Sequence, residues 1–362
     1  MKYMGASSFD GAAWKSYTKD NSGLKDNVVF TITVDANNTK WFGTQLGLYS
    51  FDGQTWTEHP IRYVKDMTLD GKGVLWAAAG EMPAGVTLPI YSLSSYDGKS
   101  WTGYPLDAKL AFPIRAYTKI RVDADGTIWF VTDDGSFGAY SLHSYDGSTV
   151  KTYHTEGPLS YSFRGIAVDG GNRKWFATGY GVSVYDGMSW KNHLFTLTKD
   201  DISPSANLQN MNLGVNSIEE IAVDRDNTVW VSMLGGNNVA SFDGTVWKFY
   251  NHARDAAFLP MPAWNILVDR NNMKWFVGAG ASSFDGKTWT YYKRGQMSVW
   301  SAAVDNNNVK WFGTQNNDGV WSFDGTTWTH YTKDNSPLSA MVIFVTVDRK
   351  NVKWFTDLTK NN

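Results

Sequence analysis

Short apolar stretches of strand length alternate with turn signals along the whole chain, and the alternation repeats. Each unit begins with an apolar stretch that ends in Val-Asp or Leu-Asp, at Asp35, Asp70, Asp123, Asp169, Asp224, Asp269, Asp305 and Asp348. Three residues after each Asp comes Asn or Gly (Asn38, Gly73, Gly126, Asn172, Asn227, Asn272, Asn308, Asn351). Asp bonds its own backbone two residues on, and Asn or Gly accepts positive φ, so this is a tight turn between strands A and B. Strand B follows with Lys-Trp-Phe-Gly-Thr or a variant, carrying Trp41, Trp76, Trp129, Trp175, Trp230, Trp275, Trp311 and Trp354. Strand C then runs into an Asp-Gly pair, a hairpin signal. Strand D carries Trp14, Trp56, Trp101, Trp190, Trp247, Trp289 and Trp328, with Val150 at that place in the third unit.

The Asp-Gly pairs begin at Asp10, Asp52, Asp97, Asp146, Asp186, Asp243, Asp285 and Asp324, at spacings of 42, 45, 49, 40, 57, 42 and 39. Four strand signals in a period near 45 residues read as the blades of a propeller. Eight periods account for the 362 residues. The expected fold is therefore all-β: a single eight-bladed β-propeller of four-stranded blades spanning 1–362. The chain opens with strands C and D and closes with strands A and B. The last blade is thus expected to be closed by both ends, from 341–357 plus 5–17, which removes two open sheet edges.

Composition narrows the chemistry. Lys+Arg number 33 and Asp+Glu 35, which leaves no basic stripe for a phosphate backbone. No apolar run approaches a membrane span, and residues 1–11 lack the apolar core of a signal peptide. Zero Cys excludes disulfides, thiolate metal sites and Cys nucleophiles. Of the 18 Trp, fifteen recur at fixed places in strands B and D and read as packing between blades. Trp264, Trp300 and Trp321 have no such explanation, although Trp321 takes the place of Tyr49 in strand C and reads as packing.

The stretch 27–44 (NVVFTITVDANNTKWFGT), with Gly47-Leu48 and Phe51-Asp52-Gly53, resembles the two-component regulator propeller repeat. All eight units share the likeness and five keep Lys-Trp-Phe. The resemblance implies a propeller, and a sensor-type domain of the periplasm or cell surface that meets oligosaccharides. A more distant likeness is to the propeller lyase that opens streptogramin antibiotics.

Residues common to every blade cannot encode specificity, so the departures matter. In a propeller, strand A lines the central channel. The fourth and fifth residues before the strand A Asp, where the family favours small hydroxyl residues near the channel mouth, differ from blade to blade. They include Lys65 and Asp66, Lys119, Arg164, Glu219 and Glu220, Trp264 and Asn265, and Trp300. Trp faces with charged neighbours suit a sugar ring. These nine residues are the expected ligand-binding set, for an oligosaccharide or other polar small ligand. The plainer alternative is ion pairing between neighbouring blades, Asp66 with Lys119 and Arg164 with Glu219 or Glu220. Swollen connections at Gly80 to Leu93, Thr132 to Leu142 and Leu194 to Asn216 adjoin the charged positions.

No catalytic set stands out. The six His lie in or beside the outer strands, with no pair at metal-ligand spacing. Asp123-Ala124-Asp125-Gly126 lacks a calcium loop's ligand series and reads as the A–B turn. Glu219 and Glu220 are neighbours, so regular alternation would point them to opposite faces. Glu219 or Glu220 with Asp66 stays open as a carboxylate pair across the channel. The expectation is a non-catalytic ligand-binding propeller with no cofactor and no metal, periplasmic or extracellular. The alternatives are a structural or protein-interaction module of a surface assembly, and a lyase or hydrolase.

Overall fold

A computed structural model describes residues 2–81, 90–104, 119–133, 140–153, 158, 163–194, 217–233, 238–251, 263–292, 297–315, 318–338 and 341–359. Among them there is no helix. The chain has the eight-bladed β-propeller fold: eight four-stranded antiparallel sheets, seven of them meanders running A-B-C-D in chain order. Blade 1 shows the plan, with strands Val29–Val34, Lys40–Thr44, Leu48–Phe51 and Trp56–His59. Blade 8 is the expected split sheet. It joins Met341–Val347 and Lys353–Thr359 to Lys2–Phe9 and Trp14–Tyr17, so its strands run slightly beyond the expected 341–357 and 5–17. The seam pairs Ser7 with Phe355 and Phe9 with Lys353.

The chain divides into two compact units, residues 1–151 with 301–362, and residues 152–300. In the first, strand A of blade 1 lies between the A strands of blades 8 and 2, and that of blade 3 follows blade 2. In the second, strand A of blade 5 lies between those of blades 4 and 6.

The two turns of each blade form for separate reasons. All eight A–B turns place their third residue at positive φ, from 60° at Asn172 to 84° at Gly126. Six of the eight are Asn, the side chain that best tolerates that region after Gly. The C–D hairpin is closed by a four-residue Asp-Gly-x-x loop, as 10–13 between Phe9 and Trp14. Asp10 Oδ1 accepts the backbone N–H of Ala12 and Ala13 at 2.8 and 2.7 Å, and Gly11 takes φ 111°. Those N–H groups hold the Asp10 carboxyl below its ordinary range, and the other seven loops repeat the effect.

The fifteen repeated Trp pack as expected. Each strand B indole donates from Nε1 to its own strand A Asp, from 2.8 Å at Trp175–Asp169 to 3.3 Å at Trp275–Asp269. The strand D aromatic covers it: Tyr17 stacks on Trp354 at 5.2 Å and Trp311 on Tyr331 at 5.6 Å. The same ring reaches the next blade, as Tyr17 does to Phe51 and Trp56 at 5.7 and 5.8 Å. Trp321 sits opposite Phe312 in the register Tyr49 holds to Phe42, stacked on His330 at 3.9 Å.

One interaction joining successive blades was not foreseen in the Lys-Trp-Phe motif. The Lys before the strand B Trp is buried and reaches the strand A Asp of the preceding blade: Lys40 to Asp348, Lys274 to Asp224 and Lys353 to Asp305, each at 3.5 Å. The positive-φ Asn completes the join. Asn38 Oδ1 accepts the Arg349 N–H at 2.8 Å, and Asn351 Oδ1 accepts that of Asn306 at 2.6 Å. In the second unit Asn227 and Asn272 do the same to Gly170 and Arg225, at 2.6 and 3.0 Å.

Candidate functional site

In blades 1, 4, 5 and 6 strand A begins buried and then departs from alternation. In blade 5, Ile218 pairs with Met233 but Glu220 pairs with Ser232, so Glu219 is an extra residue in the ladder. The same irregularity skips Phe30, Arg164, Trp264 and Ile343. The bulge therefore falls on the fifth residue before the Asp, the place where the sequence varies most. A bulge re-aims a side chain and commonly sits beside sites. Burial along blades 5 and 6 accordingly runs buried, partly buried, partly buried, then buried again.

This corrects the expectation for Glu219 and Glu220. They do not alternate: both are half-buried between the buried Ile218 and Ile221, and the Glu220 charge acts on Glu219. Arg164 of blade 4 pairs with Glu219, Nη1 to Oε2 at 3.2 Å, so the ion pair between neighbouring blades is present. Burial raises the Glu219 carboxyl above its ordinary value, Arg164 opposes the rise, and Glu220 adds to it. Glu219 Oε1 is buried and has no hydrogen-bond partner among the described residues. Glu220 Oε1 accepts the Ile221 N–H at 3.1 Å. Gly165 permits this approach, because a Cβ there would stand 3.2 Å from Glu220 Oε1 and 2.9 Å from Ile221 Cγ2. Trp264 and Asn265 follow on the next A strand, both half-buried. Trp300, at the same register in blade 7, is 51% exposed. Arg164, Glu219, Glu220, Trp264 and Asn265 thus form one row across three adjacent A strands of the second unit.

The remaining expected residues belong to the first unit. The Lys65 ammonium lies 3.4 Å over the Phe30 ring and 5.1 Å from that of Tyr63. Tyr63 holds φ 53°, a costly conformation for an aromatic residue. Asp66 Oδ2 accepts the Ile120 N–H at 3.2 Å and lies 3.8 Å from Arg121 Nη1 in an ion pair. The charge of Lys119 also acts on Asp66, after that of Arg121. Burial raises the Asp66 carboxyl, and these two cations oppose the rise. Tyr63 and Arg121 were missed because each lies outside the two positions that vary from blade to blade.

Burial lowers Lys65 to about 8, while the Phe30 face favours its charged form. Between pH 8 and the ordinary Lys value near 10.4, the unfolded chain holds a proton that the folded one has released. Stability from this group therefore rises with pH across that window. Denaturant titrations at pH 8 and pH 10 should show a gain of order 1 kcal/mol over Lys65→Met. Parallel pH profiles for the two proteins would exclude the coupling.

The histidines have structural partners. Trp101 Nε1 donates to His59 Nδ1 at 3.4 Å and Trp247 Nε1 to His193 Nδ1 at 3.1 Å, which fixes both rings as neutral acceptors. Burial lowers both of their pKa values. His154, His252, Thr118 and most of the three swollen connections lie outside the described residues. Among the described residues, no group of three or more His, Asp and Glu side chains could hold a metal ion. No described helix is long and apolar enough to cross a membrane.

No family model matches this chain, and no curated protein matches its sequence. Its likeness is to solved structures. A catalytically inactive virginiamycin B lyase from Staphylococcus aureus, with quinupristin, is 14% identical, with 81% of this chain and 94% of that one covered and a TM-score of 0.53. YCF48 from Cyanidioschyzon merolae is 13% identical over 85% of this chain and 96% of that one, with a TM-score of 0.50. An extracellular domain from B. thetaiotaomicron, described as a one-component system, is 17% identical, covers 97% of this chain and 47% of that one, and has a TM-score of 0.49. At such identities the similarity is one of fold, and the fold it shows is the β-propeller.

Proposed function

We propose that this chain is a non-catalytic ligand-binding propeller that takes a carbohydrate or similar polar ligand along the strand A bulges of blades 4 to 6. The observation that carries the reading is Glu219 Oε1, a buried carboxylate oxygen with no donor among the described residues, beside an ion pair to a half-exposed arginine. A buried unpaired acceptor is costly, and a ligand hydroxyl would satisfy it. Trp264 on the next strand offers an aromatic face to the apolar side of a sugar ring. The repeat's likeness to two-component regulator propellers supports the same reading, and with the lack of Cys it supports a periplasmic or extracellular setting.

The test is a glycan array read with the intact chain, followed by titration calorimetry on any hit. Trp264→Ala and Glu219→Gln should each weaken binding by tenfold or more, about 1.4 kcal/mol. Unchanged affinity in both variants would remove this row from the site. Trp300→Ala is expected to act in the same direction.

A second reading, hydrolysis or elimination, has one observation in its favour: the bulge breaks the alternation that would have separated Glu219 from Glu220, and the Glu220 charge acts on Glu219. Glu219 is engaged by Arg164 and Glu220 by the Ile221 N–H, which suits binding better than proton transfer. Release of product from any glycan that binds, lost in Glu219→Gln, would reverse the preference.

A further inference from the structure

A second site, independent of the bulge row, opens between blades 1 and 2. At three other junctions between successive blades a lysine ammonium sits in a shared cage. Lys40 is held by the Asp348 carboxylate at 3.5 Å, by the Asn38 carbonyl at 2.8 Å, and between the rings of Phe51 and Trp354 at 5.8 and 5.5 Å. Lys353 repeats this with Asp305 at 3.5 Å, the Asn351 carbonyl at 2.9 Å, and Phe9 and Trp311 at 5.6 and 5.1 Å. Lys274 lies 3.5 Å from Asp224 and 5.5 Å from the Trp230 ring.

Between blades 1 and 2 the cage is kept and its lysine is gone. The Asp35 carboxylate accepts from Trp41 Nε1 at 3.0 Å, as that of Asp348 does from Trp354 at 3.2 Å. The rings of Trp41 and Tyr96 are 5.4 Å apart at 59°, close to the 5.8 Å and 60° of Phe9 and Trp311. The residue in the place of Lys40 is Leu75, and the residue in the place of Asn38 is Gly73. Both halves of the join between blades are therefore missing together. What remains is a cavity of about 430 Å³ lined by Asp35, Trp41, Gly73, Leu75, Tyr96 and His59, among others.

Charge and burial agree with this description. Asp348 and Asp305 are 3% and 2% exposed beneath their lysines, whereas Asp35 is only half-buried. Among the described residues Asp35 has no ion-pair partner. Asp70 and Asp169 also face blades without the lysine, since Ile128 and Val229 stand there; Asp169 is served by Arg173 of its own blade at 2.6 Å. His59 cannot supply the cation, because its Nδ1 accepts from Trp101. Lys72 lines the same cavity but is exposed, and it is outnumbered by the carboxylates of Asp35 and Asp97.

We propose that the cavity between blades 1 and 2 binds a primary alkylammonium group, carried by a free amine or by a lysine side chain, in the cage of Asp35, Trp41 and Tyr96. A carboxylate with two aromatic faces selects an organic ammonium over a bare metal ion, because ring faces attract the cation while the alkyl stem packs against apolar surface. The volume lies within the range of small-ligand pockets. The same chemistry is already performed three times in this molecule by its own side chains.

The test uses the intact chain and n-butylammonium chloride, with sodium chloride and n-butanol as controls at matched ionic strength. The signal is the indole N–H resonance of Trp41. Butylammonium is expected to shift it saturably, and neither control should do so. Leu75→Lys together with Gly73→Asn restores the join and should weaken butylammonium binding at least tenfold while leaving the melting temperature equal or higher. Asp35→Asn, which keeps an acceptor for the turn, should weaken it similarly. A shift equal to that given by sodium, or binding that persists undiminished in the Leu75→Lys, Gly73→Asn protein, overturns the proposal. A short lysine peptide compared with its acetylated form distinguishes the sources: binding of the unmodified peptide alone assigns the cavity to a protein partner, and binding of butylammonium without either peptide assigns it to free amines.

Discussion

A chain lacking residues 1–17 is expected to lose its cooperative melt near the parent temperature and to aggregate. The deletion removes strands C and D of blade 8 and leaves Met341–Val347 and Lys353–Thr359 as a two-stranded sheet. The loss is not confined to hydrogen bonds. Phe9 stacks on Trp14 at 4.7 Å and meets Trp311 and Tyr331 of blade 7 at 5.8 and 5.5 Å. Tyr17 does the same toward blade 1 through Phe51 and Trp56. Burial of Phe9, Trp14 and Tyr17 contributes about 2 kcal/mol each, or about 6 in all, against a typical stability of about 5–15 kcal/mol. The exposed edge of Lys353–Thr359 would also be free to pair with other chains. Calorimetry and light scattering give the readout; a truncated protein that melts as a monomer at the parent temperature would show that the seam contributes little.

The second large effect concerns the joins between blades, and it is asymmetric. Asp348→Ala is expected to cost about 4 kcal/mol, whereas Lys40→Met should cost about 1 kcal/mol or less. Asp348 accepts the N–H groups of Lys350 and Val352 at 2.9 Å, the Trp354 indole at 3.2 Å and the Asn38 amide at 3.4 Å, besides facing Lys40. Removing it strands a lysine that is 5% exposed and frees the turn. Removing the lysine leaves a carboxylate that still has four donors, and the apolar Met stem keeps the packing. Asp35, beside Leu75, shows that the fold tolerates the Asp without the Lys. Guanidinium titrations of both variants and the double mutant settle the asymmetry. Equal losses in the two single variants would mean that the ion pair itself, not the Asp, carries the join.

Much of this was legible in the chain because the repeat is local. Turn residues specify their own conformation: Asp followed by Asn or Gly at the third place required positive φ, and all eight turns show it. The strand order at the two ends implied a split sheet, and Phe9 pairs with Lys353. The variable positions of strand A were found by comparing units, and in five blades the fifth residue before the Asp is the one the bulge skips. What failed was alternation. Nothing in the run Ile218-Glu219-Glu220-Ile221 signals an extra residue, because a bulge is set by the register of the neighbouring strand. Arg121 was missed as a partner of Asp66 for a related reason: it lies two residues from Lys119, and only packing brings it to the carboxylate.

By itself the sequence determined the blade, its turns, the number of blades and the all-β class, since each follows from contacts within about forty residues that recur eight times. Only the tertiary structure decided what neighbouring blades do to one another. It showed that the Lys of Lys-Trp-Phe belongs electrostatically to the preceding blade. It also showed that Glu219 keeps an oxygen without a donor among the described residues, and that Gly73 with Leu75 leaves a cage unfilled. These features join residues from different repeats, and their distances depend on how twisted sheets pack face to face, which no pattern along one strand encodes.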